Sequence, residues 1–148
     1  MINLEKLYLS IKKLGLKVSD VNEYYNYSHE LGIAQIDTNN LQDKIFGIEC
    51  NFEELNGIDF RKGCYVGQEN TARIKLKDKL NKRLFAIKVL DGKINSDEIT
   101  SENKNLGKLL INNKNPFALL KLEDKSFNFD KDLKCGDAKI KALRPDWM

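Results

Sequence analysis

The chain has 148 residues, 41% hydrophobic and 32% charged, with 25 basic against 22 acidic side chains and a formal net charge of +3. That is enough apolar material for one real core, in one domain or two small ones, and so mild and mixed a charge implies no particular partner. No apolar run approaches the roughly 20 residues that span a bilayer, and residues 1–15 carry charges where a secretion signal needs an apolar centre. The expectation is a cytoplasmic protein with no membrane contact.

Leu4, Leu7, Ile11 and Leu14 recur at helical spacing with lysines between them, and Gly15 supplies a stop, which predicts a first amphipathic helix. Asp20 with Glu23 three residues on has capping-box spacing and predicts a second helix ending near Gly32. Residues 33–48 show no clear period and read as loop or short strand. Asn51 and Glu54 repeat the capping-box spacing ahead of a short helix stopped by Gly57. From Arg73 the pattern turns to alternation. Ile74, Leu76 and Leu80 alternate with Lys75, Lys77 and Lys79, and Phe85, Ile87 and Val89 with Leu84, Ala86 and Lys88, as strands do. Asp91-Gly92 reads as a hairpin turn, and the runs 106–111, 117–122 and 138–143 as further strands separated by polar turns such as 112–116. The expected fold class is α+β: a helical segment over residues 1–72, then a small antiparallel β-barrel or sheet over 73–148.

Cys50, Cys64 and Cys135 lie too far apart for a CxxC pair, so neither a zinc site nor a redox dithiol is expected. Cys50 ends an amphipathic segment and Cys135 precedes Gly136 at a turn, and both read as structural. The one histidine, His29, has no ligand or nucleophile signature around it and reads as a surface or packing residue.

Residues 57–73, GIDFRKGCYVGQENTAR, gather glycines around a cysteine between the helical and strand-rich parts. Gly63 and Gly67 permit backbone angles or close approaches that suit a ligand-contacting loop. Gln68, Glu69 and Arg73 add an amide, a carboxylate and a guanidinium able to hydrogen-bond a polar heterocycle or a carboxylate tail. Cys64 directly follows Arg61-Lys62-Gly63, where positive charge or helix-terminal N–H groups would stabilise a thiolate, and is the candidate reactive thiol. The ordinary alternative is a buried small hydrophobe.

Lys62-Gly63-Cys64-Tyr65-Val66-Gly67-Gln68-Glu69 resembles the K-G-C-Y-x-G-Q-E signature of the YgfZ family, relatives of the T-protein of the glycine cleavage system, at all seven defined positions. The lead-in NFEELNGIDF, the following Thr71-Ala72-Arg73 and Lys82-Arg83-Leu84, and an upstream Leu31-Gly32-Ile33 resemble the same family. Ala34 and Phe46-Gly47 depart from it, standing where proline and Pro-Leu are usual. Members are longer, with N-terminal subdomains that build most of a tetrahydrofolate pocket. The resemblance therefore implies a shortened member whose C-terminal part is a β-barrel, with tetrahydrofolate held weakly by Lys62, Gly63, Tyr65, Gly67, Gln68, Glu69 and Arg73.

By that resemblance the function is a folate-linked factor assisting iron–sulfur cluster assembly or repair, with client or assembly proteins as partners. A second reading is a folate-dependent aminomethyltransferase, although no carboxylate pair in the loop supplies the acid–base work. A third is an RNA- or tRNA-binding module using Arg73, Lys75, Lys77, Lys79, Lys82 and Arg83; that run lacks aromatics for base stacking, which speaks against nucleic acid as a partner. The stripe Leu4, Leu7, Ile11 and Leu14 would be covered by self-association or by a partner chain.

Overall fold

The computed structural model describes residues 4–63, 67, 69–76, 80–123 and 126–148. Three α-helices precede six strands: α1 Leu4–Lys13, α2 Val21–Glu30, α3 Glu69–Leu76, then β1 Lys82–Asp91, β2 Ile94–Ser101, β3 Lys104–Ile111, β4 Phe117–Lys121, β5 Leu133–Gly136 and β6 Ala138–Ala142. The strands close into an antiparallel barrel in the order β1-β4-β3-β2-β5-β6, as the α+β expectation requires. Among the described residues no helix is long and apolar enough to cross a membrane.

Closure dictates which side chains are apolar. Phe85, Ile87, Ile99, Leu109, Leu120, Leu133, Cys135, Ala138 and Ile140 point inward and form the main core, and each large one contributes about 1.5–3 kcal/mol on burial. β1 is buried on both faces from Leu84 to Ile87. Phe85 and Ile87 face the barrel interior, while Leu84 and Ala86 join Ile111 and Phe117 in an outer cluster covered by Ala34, Leu41, Ile45 and Cys50. The aperiodic residues 33–48 are thus a lid on the barrel wall, built of turns and a 3-10 turn at Thr38–Leu41.

Three sequence expectations are corrected, the last of them at the end of β1. Residues 74–76 are the end of α3, not a strand; Lys77 and Lys79 lie outside the described residues, and the first strand begins at Lys82. A short apolar–basic alternation fits either period, and here the helix won. Residues 51–56 form turns and no helix. Asn51 has a φ of 63°, a left-handed angle that asparagine tolerates but a helix forbids, and its amide is spent on the barrel.

Asp91 ends β1 and Gly92 is a bend, but the two make no hairpin, because β1 and β2 are not neighbours. Gly92 has a φ of 79°, and a Cβ there would lie 2.6 Å from the Asp137 carbonyl oxygen, so the bend packs against the start of β6 and only glycine fits. β2 and β5, not foreseen, are polar along their outer faces and carry few apolar residues.

α2 starts where Asp20 caps it by accepting from the Asn22 N–H at 2.6 Å; Glu23 is engaged by Ser19, so the box is closed on one side only. His29 then pins the helix to the barrel. Its Nε2 lies 3.0 Å from the Pro116 carbonyl oxygen and its ring meets Phe117 edge-on, with centroids 5.1 Å apart. A carbonyl only accepts, so Nε2 carries the proton. Trp147 Nε1 donates to the Leu31 carbonyl at 2.8 Å and secures the helix end. By contrast α1 has no buried residue, and Leu4 is 76% exposed.

Candidate functional site

The described residues of the signature, Lys62, Gly63, Gly67 and Glu69, lie on the seam between the 57–63 loop and α3. Asp59 caps a 3-10 turn over Phe60–Lys62, accepting from the Arg61 N–H at 2.9 Å and from Arg61 Nε at 3.2 Å. Gly63 ends that turn with a φ of 83°, and Gly67 has a φ of 91°. A Cβ at either would meet nothing within 4 Å, so these glycines serve backbone angles, and the space beside them is open. The Gly67 N–H donates to Glu69 Oε2 at 2.9 Å, which commits the Glu69 carboxylate to the start of α3.

Between turn and helix lies a cleft of about 280 Å³, with Ile58, Phe60, Lys62 and Gly63 on one wall and Thr71, Ala72, Lys75 and Leu76 on the other. Its volume is at the low end for small-molecule sites, enough for a heterocyclic head and not for a long ligand. Lys75 stands over the Phe60 ring at 5.7 Å and pairs with Glu53 at 2.6 Å. That pair ties α3 to the 49–55 segment, which is itself bound to β1. Asn51, buried, donates to the Leu84 carbonyl at 2.9 Å and accepts from Arg83 Nη1 at 2.9 Å, while Arg83 Nη2 pairs with Glu54. Burial alone would raise the Glu54 carboxyl, but the hydrogen bond and charge of Arg83, with Lys75 nearby, hold it below the ordinary carboxylate value.

Of the residues expected from sequence, Lys62 and Gly63 line the cleft and Gly67 and Glu69 sit at the entry to α3, while Arg73 is on an exposed face of that helix and does not line it. Cys64, Tyr65 and Gln68 lie outside the described residues. Sequence reading missed Phe60, Thr71, Lys75 and the Glu53 partner. The Asp59-x-Arg61 capping spacing was the available signal for the first wall, and helical periodicity over 69–76 would have given the second.

The other two cysteines are placed as structural residues. Cys135 is fully buried, its Sγ 3.0 Å from the Ser96 carbonyl oxygen, and burial raises its thiol pKa. Cys50 packs in the outer cluster, where burial, with Glu49 adding to it, pushes its thiol up to about 11. No group of three or more metal-ligating side chains occurs among the described residues.

Residues 81–148 match the family model for the CAF17 C-terminal beta-barrel domain, which is the barrel in its entirety. The chain is also similar to the iron-sulfur cluster assembly factor IBA57, mitochondrial, of Mus musculus, 34% identical over 73 residues, and of Homo sapiens, 32% identical over 77. These matches cover 49% and 52% of this chain but 20% and 22% of those proteins. The IBA57 homolog of Dictyostelium discoideum is 49% identical over 43 residues, 29% of this chain and 10% of that one. The chain therefore spans about a fifth or less of the length of these curated relatives. Their names specify mitochondria, so the cytoplasmic expectation finds no support in them.

Proposed function

We propose that this chain works in iron–sulfur cluster assembly or repair, as a barrel that carries the 57–76 loop–helix unit to client or assembly proteins. The observation that supports this best is the similarity to iron–sulfur cluster assembly factors together with the barrel match over residues 81–148. In cells lacking the chain, iron–sulfur enzymes should lose activity while their polypeptides persist. Unchanged cluster occupancy in such cells would overturn the reading.

Tetrahydrofolate is the ligand proposed for the 57–76 cleft, held by Lys62 with Phe60 and Lys75 and, from the signature, by Tyr65 and Gln68, with Glu69 fixing the entry to α3. A cleft of about 280 Å³ encloses only part of such a molecule, so binding should be weak, with a Kd above about 10 µM, equivalent to less than about 7 kcal/mol. Titration with tetrahydrofolate and its formyl and methylene derivatives tests this. Asp59 is the acidic residue lining the cleft among the described residues, and it is committed to Arg61, which favours a binding role over aminomethyl transfer. The RNA reading loses its premise. Arg73 and Lys75 are on α3, Lys82 and Arg83 on β1, and Lys75 and Arg83 are paired with Glu53 and Glu54.

Leu4 and Leu7 of α1 and Leu14 just past its end are 76%, 47% and 76% exposed, which supports a partner chain or self-association over this stripe. A monomer mass at every concentration in sedimentation would remove the self-association branch.

A further inference from the structure

On the outer barrel wall Lys88 of β1 stands directly opposite Lys141 of β6, and Lys139 of β6 stands between Lys134 of β5 and Asp91 of β1, directly opposite each. Lys139 and Lys141 are two residues apart on one strand and share a face, so the four form one block, about 5 Å between opposed residues and about 7 Å along β6. All four are exposed, and none has an ion-pair partner among the described residues.

Like charges directly opposite on a sheet repel and destabilise it. Elsewhere among the described strand pairs one other like-charge opposition occurs, Lys82 with Lys121, while Glu98 stands opposite Lys108, which also lies 3.6 Å from Asp97, and the 49–55 segment neutralises Lys75 and Arg83. Lysines commonly protect exposed sheet edges from pairing with other chains, but this sheet is closed and β1, β6 and β5 each have neighbours on both sides. Solubility asks for scattered charge of both signs, which a block of four cations does not supply.

We propose that the lysine block on the β1–β6–β5 wall is a docking surface for a partner protein that presents a cluster of carboxylates. The acidic cluster would supply counter-charges beyond the single one that Asp91 sets opposite Lys139, relieving the repulsion on binding. A protein surface fits better than a nucleic acid. Leu90, two residues beyond Lys88, is 57% exposed and offers the apolar contact that protein interfaces use, while β1, β5 and β6 expose no aromatic ring for stacking. This surface is independent of the 57–76 cleft and does not rest on the iron–sulfur reading.

The test is fluorescence anisotropy with a labelled poly-L-glutamate peptide, and in parallel a labelled poly(U) RNA. The peptide should bind at about 20 mM salt and be released by about 300 mM. Lys139→Glu with Lys141→Glu should weaken peptide binding at least about tenfold. Lys82→Glu with Lys121→Glu, the other opposed lysine pair, should leave peptide binding within about twofold. If the reversal variant fails to fold, Lys88→Gln with Lys134→Gln carries the same comparison. Absence of peptide binding at low salt, an equal loss in the Lys82/Lys121 variant, or tighter poly(U) binding abolished by the same substitutions would each overturn the proposal.

Discussion

The side chain of Asn51 joins Arg83 to the barrel: Oδ1 accepts from Arg83 Nη1 while Nδ2 donates to the Leu84 carbonyl, both at 2.9 Å. Asn51 is 1% exposed, so removing its amide leaves a buried carbonyl and a guanidinium short of a partner. Asn51→Ala should cost about 2–4 kcal/mol in urea unfolding, part of it from the left-handed backbone angle that alanine resists. Asn51→Gly loses the same bonds but accepts the angle, and should be the less damaging. Losses under about 0.5 kcal/mol in both would show the cross-link to be dispensable.

His29 gives the fold a pH dependence near neutrality. Burial lowers its pKa below the ordinary value, against the opposing effects of the Pro116 carbonyl and Glu30. The unfolded chain therefore takes up the proton first, and stability is lost as pH falls from about 6.5 through the lower folded value. The thermal midpoint should drop between about pH 7.5 and 5.5 in the parent and much less in His29→Gln. Parallel profiles would place the dependence on another group.

Thiol chemistry should single out one cysteine. Cys50, with its thiol pushed up to about 11, and Cys135, fully buried, should resist iodoacetamide in the native state. Cys64, preceded by Arg61 and Lys62, should be labelled first, with a rate that falls at neutral pH in Lys62→Ala. Mass spectrometry of the alkylated chain reads all three at once. Labelling of Cys50 or Cys135 ahead of Cys64 would reverse this assignment.

Leu120 and Leu7 look alike in the sequence and should behave differently. Leu120 is fully buried in the barrel and Leu120→Ala should cost about 2–5 kcal/mol. Leu7 is 47% exposed on α1, so Leu7→Ala should change the stability of the isolated chain by less than about 0.5 kcal/mol. A large loss at Leu7 would mean that α1 packs against the rest of the molecule in solution.

The strands with apolar alternation were legible because the barrel interior demands it: Phe85, Ile87, Leu109 and Ile140 all lie in expected runs. β2 and β5 were not. Ile94–Ser101 holds apolar residues only at Ile94 and Ile99, and its place comes from pairing with β3 and β5, which no local pattern encodes. The cleft was half legible, since the glycines and Lys62 announce the loop. The wall made by Thr71 and Lys75 was hidden because a basic–apolar alternation was taken for strand where it belongs to α3. The tether through Asn51 reads locally as a helix cap, and only its contact with a residue 33 positions on shows otherwise.

The pairing of β1 with β4 and β6 sets the order in which the chain can be completed during synthesis. Leu84 waits for Leu119 and Ile87 for Ala142, so both hydrogen-bonding edges of β1 stay vacant while the intervening strands are made. Pairings this distant in sequence form slowly, and a newly made β1 with its Leu84–Ile87 run uncovered is an adhesive edge in that interval. A truncation before Ala138 removes the β6 partner of β1 and should yield aggregate rather than a smaller barrel.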